Sequence, residues 1–341
     1  MPPAEDMTQG EVAGRVEKLK EGKGKILHEF RKAIIGQDVV VGELLMAFFA
    51  GGHLLITGVP GLAKTLMIQT MGKILDLSFR RIQFTPDLMP SDITGTEILE
   101  EDRTTGRRHM KFMQGPLFAN IILADEINRA SPKTQAALLE AMQEVQVTVS
   151  GVTYPLRRPF FVLATQNPIE QEGTYPLPEA QLDRFLFKLN VGYSNRQELV
   201  EILRRTTEAT QIEVHKVIDG PALLAFRQFV RQALIAPPVQ DYAVRLVLAT
   251  IPGGEFAGEV TNKYVRYGAS PRGAQAIVLG SKIRGLLDAR YHASFEDVMA
   301  IAKPALRHRI ILNFEAEAEG VTTDKVVEEL LKTVPKQVDE A

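Results

Sequence analysis

Eight residues, Gly58-Val59-Pro60-Gly61-Leu62-Ala63-Lys64-Thr65, follow a short apolar run and open a stretch with helical periodicity. Backbone N–H groups of such a glycine-rich turn, backed by a helix N-terminus, form an anion nest. Lys64 is placed to reach β- and γ-phosphates, and Thr65 to put its hydroxyl on Mg²⁺. The general form of this loop has glycine just before the lysine. Here it is Ala63, whose N–H can still donate if its φ is negative.

A second run, Ile121 to Ala124, ends in Asp125 and Glu126. A buried strand delivers its C-terminal residues to the ligand edge of an α/β sheet. Asp125 is placed to hold Mg²⁺ and its waters, and Glu126 to deprotonate an attacking water. Asn167 ends the next apolar run, where an amide can bond the water or the γ-phosphate; Asn167-Pro168 also reads as a plain turn. Arg184 stands just before a further apolar run. It can stabilise γ-phosphate charge, in its own subunit or a neighbour's, or pair with Asp183 or Glu179. Arg272, in Ser270-Pro271-Arg272, is a cation in a first helical turn. The helix dipole disfavours it there by about 0.3–1 kcal/mol, which a bound phosphate would offset and a solvated arginine would simply bear.

These groups need a scaffold that brings several strand ends together. His53 to Thr57, Arg80 to Phe84, Asn120 to Ala124, Pro159 to Ala164 and Phe185 to Leu189 are short apolar runs that read as buried strands. Helical stretches alternate with them: Val12 to Ile35, Val39 to Ala50, Leu62 to Leu75, and one capped by Ser131-Pro132. Alternation of this kind predicts parallel pairing in a three-layer α/β sandwich. Val147 to Leu156, turning at Ser150-Gly151, reads as a β-hairpin inserted before a strand. After Gly192 the strands stop. Ser194-Asn195-Arg196-Gln197 reads as a capping box, and nearly everything to about Val334 is helical, with caps at Ser270 and Ser294.

Composition narrows the chemistry. In 341 residues there is no cysteine, which excludes disulfides, thiolate metal sites and a cysteine nucleophile. A net charge of -2 offers no global field for nucleic acid. No apolar run approaches the roughly 20 residues of a membrane span, and the polar, acidic start is unlike a secretory signal, so a cytoplasmic protein is expected.

Five segments together carry a family resemblance: GVPGLAKT at 58–65, ILADEINRA at 122–130, ATQNP at 164–168, EGTYPLPEAQLDRF at 172–185 and GASPR at 268–272. They resemble the MoxR family of AAA+ ATPases, from about Ile34 through most of the chain, and alanine before the lysine is usual in that family. The resemblance implies a P-loop AAA+ core with a parallel sheet, followed by an all-helical lid. The implied layout is a disordered N-terminus at 1–12, the nucleotide-binding domain at 13–192, the lid at 193–335 and a flexible end at 336–341. Within the core, 86–117 matches the helix-2 insertion and 146–157 the hairpin before the first sensor.

The same resemblance implies ATP as ligand with Mg²⁺, and Ile34, Ile35, Gly36 and Gln37 against adenine. It makes Asn167 the first sensor, Arg184 an arginine finger acting in trans, and Arg272 the second sensor, serving its own or a neighbour's nucleotide. It implies a homo-oligomer, usually a hexameric ring, that remodels or matures a protein partner with a von Willebrand factor A domain. A rival reading is a nucleic-acid motor, resting on Arg103, Arg107, Arg108, His109 and Lys111 in the insertion. That cluster has only Phe112 as a stacking platform, so nucleic acid is not the expected partner.

Overall fold

The computed structural model describes residues 9–59, 61–101, 108–167, 175–207 and 212–336. Two helices, α1 (Gln9–Ala33) and α2 (Asp38–Ala50), lead into β1 (Leu54–Thr57), α3 (Lys64–Ile74) and β2 (Phe79–Gln83). The insertion follows as α4 (Pro90–Thr94) and the hairpin β3 (Gly95–Glu101) and β4 (Arg108–Gln114). The core resumes with β5 (Ile121–Asp125), α5 (Pro132–Glu144), the hairpin β6 (Gln146–Val149) and β7 (Val152–Pro155), then β8 (Phe161–Gln166), α6 (Glu179–Leu182) and β9 (Phe187–Asn190). The rest is mostly helical: α7 (Arg196–Thr207), α8 (Gly220–Gln232), α9 (Pro237–Leu248), α10 (Glu259–Tyr264), α11 (Pro271–Leu287), α12 (Phe295–Leu306), α13 (Phe314–Ala318) and α14 (Thr323–Thr333).

The five expected core strands form one sheet in the order β2-β5-β8-β1-β9, all parallel. Side chains of β5 alternate between its faces, as strand geometry demands. Ile121 and Leu123 pack with α1, α2 and α3, while Ile122 and Ala124 pack with α5. Parallel pairing puts the C-terminal ends of β1, β5 and β8 on one edge and the approach to β9 on the opposite edge.

Several local expectations are corrected. α1 begins at Gln9, so residues 9–12 are helical rather than part of the disordered N-terminus expected at 1–12. The cap of α7 is Asn195, not Ser194: the Glu198 N–H donates to Asn195 Oδ1 and the Asn195 N–H to Glu198 Oε2, both at 2.9 Å. The reciprocal pair needs an acid three residues after the cap, and Glu198 supplies it. Ser131 sits at its cap position but its hydroxyl meets Thr134 Oγ1 at 3.3 Å instead of a backbone N–H. The helical region also holds two short strand pairs, Leu234–Ile235 with His292–Ala293 and Val265–Tyr267 with Ile311–Leu312, too short to show in periodicity.

Topology changes at residue 192, but the core does not. One apolar cluster runs from Leu44, Phe48, Phe161 and Phe187 into Phe226, Ile277 and Ile301. Helix α11 lies close against this region at Gly280, where a Cβ would meet Ile301 Cγ2 at 2.7 Å and the Phe187 ring at 3.0 Å.

Candidate nucleotide site

β1 ends in the phosphate loop and α3 starts at Lys64, so the strand–loop–helix context that an anion nest needs is present. Pro60 lies outside the described residues. Gly61 has φ +85° and a Cβ there would meet nothing within 4 Å, leaving open space over the loop. Gly58 packs tightly, its missing Cβ 2.9 Å from the Val191 carbonyl oxygen. Ala63 departs from the sequence argument: it takes φ 54°, ψ 20°, the left-handed region, not a negative φ. The loop needs that conformation to turn into α3, and a methyl there is tolerated at a cost of about 1–2 kcal/mol.

Lys64 Nζ donates to the Gly58 carbonyl at 2.5 Å. Burial pushes its pKa down, while the nearby carboxylates of Asp125 and Glu126 pull it back up. The lysine therefore sits in the field of both acids. Asp125 Oδ1 accepts from the Thr165 hydroxyl at 2.6 Å, and Thr165 Oγ1 in turn accepts from the Glu126 N–H at 2.9 Å. Glu126 itself has φ 57°, ψ 49°. A non-glycine residue held left-handed at a strand end is a form of stored strain associated with functional sites. Its Oε2 accepts from Gln83 Nε2 and from Arg129 Nη1, each at 2.9 Å. Asn167, 6% exposed, follows β8 at this same edge. Thr165, Arg81, Gln83 and Arg129 were not singled out from sequence. A threonine near the end of an apolar strand and two polar residues on an edge strand carry no motif, and only register brings them to the acids.

Beside the loop lies a cavity of about 450 Å³. Ile34, Ile35 and Gln37 line it from one side, Leu62, Ala63 and Leu66 from below, and Tyr193, Leu199 and Ile202 from the start of the helical region. Its mainly apolar lining suits a flat heteroaromatic ring. Gly36 has φ +68°, and a Cβ would meet the Glu198 carboxylate at 2.3 Å, so this turn is closed to larger residues. Gln37 Nε2 donates to the Gly192 carbonyl at 2.8 Å, and Arg205 donates to the Arg31 and Lys32 carbonyls, fastening α7 to the helix before the turn.

Arg184 and Arg272 are not at this edge. Both line a second cavity of about 320 Å³ beside Gly52 and His53, at the start of β1. The four residues of β1, spanning about 13 Å, separate the two cavities. Arg184 makes neither expected ion pair; it donates to the Leu139 carbonyl at 3.0 Å. Asp183 instead binds Arg309 at 2.8 Å, accepts from the Ser270 hydroxyl at 2.8 Å, and lies 3.9 Å from Arg272 Nε. The offset to the helix dipole that the sequence argument assigned to a phosphate is thus supplied in part by a protein carboxylate at the N-terminus of α11.

The described members of the insertion's basic cluster, Arg108, His109 and Lys111, each face an acid. Across the β3–β4 hairpin, Arg108 pairs with Glu101 at 3.0 Å, and Lys111 and His109 face Glu100 at 2.8 and 3.7 Å. Phe112 stacks on Tyr154, with centroids 4.0 Å apart. Arg103 and Arg107 lie outside the described residues. Among the described residues no helix is long and apolar enough to cross a membrane, and no cluster of histidines and acids could hold a metal alone.

The fold is shared with known proteins. Residues 53–187 match the model of an ATPase family associated with various cellular activities (AAA), and residues 258–330 match that of the AAA lid domain. The chain is 41% identical over 310 residues to chaperone MoxR1 of Mycobacterium tuberculosis, covering 91% of this chain and 81% of that one. It is 30% identical to protein MoxR of Methylorubrum extorquens, covering 93% and 95%. A crystal structure from Cytophaga hutchinsonii, of a protein provisionally called an ATPase, superposes with a TM-score of 0.87 at 42% identity, covering 94% of this chain and 97% of that one.

Proposed function

The chain belongs to the MoxR family of AAA+ ATPases, and from that premise we propose that it hydrolyses ATP with Mg²⁺ at the junction between subunits of a ring, using the cycle to remodel a protein partner. Nucleotide binding and ATP hydrolysis come with the family. The observation that carries the inter-subunit reading is the division of labour across the sheet. The phosphate loop and acids lie at one edge, and Arg184 and Arg272 at the other.

In this reading the base lies in the cavity beside Ile34, Ile35, Gly36 and Gln37. The loop from Gly58 through Val59, Gly61, Leu62 and Ala63 cradles the phosphates with Lys64 against them. The donor set fits the metal. Thr65 and Asp125 offer hard oxygen ligands, and Asp125 Oδ2 already faces a cation in this structure, the Arg81 guanidinium. Held by Thr65 and Asp125, Mg²⁺ would supply positive charge against the phosphates. Glu126 takes the proton of the attacking water, and Asn167 holds that water or the γ-phosphate. Arg184 and Arg272 of one subunit reach the nucleotide of the next, where they meet the charge that develops on transfer. The remodelled partner is a protein with a von Willebrand factor A domain, and the ring is a hexamer.

Mixing tests the assembly. An Arg184→Ala subunit keeps Glu126, and a Glu126→Gln subunit keeps Arg184. Each alone is expected to bind ATP and to be nearly inactive, and the two together to regain part of the wild-type rate. A mixture that stays inactive while light scattering shows co-assembly would put Arg184 outside the neighbour's site. Specific activity is also expected to rise with protein concentration, as mass action assembles complete sites.

A further inference from the structure

Strand β2 is an edge of the sheet, paired with β5 so that Arg81 stands opposite Leu123 and Gln83 opposite Asp125. From there Arg81 reaches along the open edge to Asp125. Nε donates to Oδ2 at 3.0 Å and Nη2 to the same oxygen at 2.6 Å. Nη2 also donates to Gln83 Oε1 at 2.6 Å, and Gln83 Nε2 bonds Glu126. A single polar chain along β2 therefore touches both acids. The Arg81 side chain is 48% exposed and that of Asp125 only 13%.

Three of the roughly four acceptor positions of Asp125 are engaged. Oδ1 takes the Thr165 hydroxyl, and Oδ2 takes two guanidinium N–H groups. A metal ion, or a water bound to one, that takes Oδ2 competes for the lone pairs the guanidinium already uses. Two cations cannot both hold Oδ2 at full strength. Arg81, half exposed on an edge strand, has solvent to swing into.

We infer that Arg81 is a counter-ion that competes with the metal for Asp125, so that magnesium-nucleotide binding displaces it. The inference rests on Asp125 being a metal ligand. It assigns Arg81 an effect opposite to that of a residue that merely holds Asp125 in place. A counter-ion weakens metal binding, whereas an orienting partner strengthens it.

The experiment titrates Mn²⁺ into the full-length protein with ADP, reading free Mn²⁺ by electron paramagnetic resonance. Arg81→Met is expected to bind Mn²⁺ about two- to fivefold more tightly, the range for a half-exposed ion pair. Arg81→Lys, which keeps the charge, is expected to stay close to wild type. In an Asp125→Asn background, Arg81→Met is expected to change nothing. Arg81→Gln repeats the measurement should the methionine variant not fold, which circular dichroism reports. Unchanged or weaker Mn²⁺ binding in the uncharged variant overturns the inference. If Asp125→Asn itself leaves Mn²⁺ affinity untouched, the reading of Asp125 as a ligand fails instead. The two failures are therefore distinguishable.

Discussion

The two edges of the central sheet are built on different principles. At the phosphate edge the backbone is strained: Ala63 and Glu126 are both left-handed, and neither is glycine. Hydrogen bonds with Thr165, Gln83 and Arg129 hold Glu126 in that conformation. At the arginine edge neither Arg184 nor Arg272 has a positive φ, and the firmest anchor is a buried ion pair between Arg309 and Asp183. Arg309, 7% exposed, is clasped by Asp183 and by the carbonyls of Leu186, Ala305 and Phe185. That clasp ties the helical region to the α/β core beside Arg184. The acids proposed to act within their own subunit adjoin the strained backbone at Glu126 and are also paired, Asp125 with Arg81 and Glu126 with Arg129. Of those proposed to act on a neighbour, Arg272 lies 3.9 Å from the ion-pair hub that joins two parts of the chain, while Arg184 beside it is held by the Leu139 carbonyl.

The sharpest way to break this comparison is to remove one functional group from each edge. Arg184→Ala is expected to lower the rate of hydrolysis by about a thousandfold, the lower range for a trans arginine, with ATP affinity nearly unchanged in calorimetry. Glu126→Gln is expected to lower it at least about a hundredfold, also with binding kept. Loss of ATP affinity in Arg184→Ala would place that residue with the loop rather than opposite it.

The hub itself should matter more for stability than for binding. Asp183→Asn leaves Arg309 as a buried, uncompensated cation, which costs about 3–5 kcal/mol. Chemical denaturation should show that loss. A loss below about 1 kcal/mol would mean that the carbonyls alone hold Arg309 and that the edge is not ordered by charge.

Much of both edges was legible in sequence, for a physical reason. The phosphate loop and the Asp125-Glu126 pair are local: strand, turn and helix lie within a few residues, so pattern carries geometry. The same is true of the five buried strands and of the hairpin at Ser150-Gly151. What was not legible depends on register or on distant pairing. Thr165 reaches the acids because β8 lies beside β5, and Arg81 because β2 closes the edge. Arg309, 126 residues from Asp183, has no sequence signature at all. The insertion's β3–β4 pair was hidden for another reason, since its strands are mostly exposed and mix charged with apolar residues. The apolar cluster that crosses residue 192 was hidden because topology, not packing, changes there.

Acid separates the edges in another way. Beside the arginine cavity, His53 Nδ1 accepts from the Val162 N–H and Nε2 donates to the Met142 carbonyl, each at 3.0 Å, so the ring is held neutral. Burial pushes its pKa down to about 4. His308, buried against Arg309, is lowered as well. A histidine with a depressed folded value leaves the unfolded chain binding more protons between about pH 4 and the ordinary 6.5. Stability is therefore complete above about pH 6.5 and falls as pH drops towards 4, by about 3 kcal/mol for His53 alone. Urea denaturation at pH 7 and pH 5 should show the drop, and His53→Asn should shrink it. An equal drop in the variant would clear His53 of the effect.

The smallest expected effect bears on the strained edge alone. If Ala63 is left-handed because the loop demands it, then glycine at that position should relieve the strain. An alanine in this region costs about 1–2 kcal/mol. Glycine gives back part of the gain through its larger unfolded-state entropy, about 0.5–1 kcal/mol. Ala63→Gly is therefore expected to stabilise the chain by up to about 1 kcal/mol, read as a higher denaturation midpoint. Hydrolysis should change little, because the N–H at 63 remains. The same substitution at Glu126 would relieve similar strain but remove the base, so it cannot isolate the backbone term. Ala63 can, since its side chain is a single methyl. A destabilised Ala63→Gly would show that the methyl packs usefully and that the left-handed turn is not where this edge stores its strain.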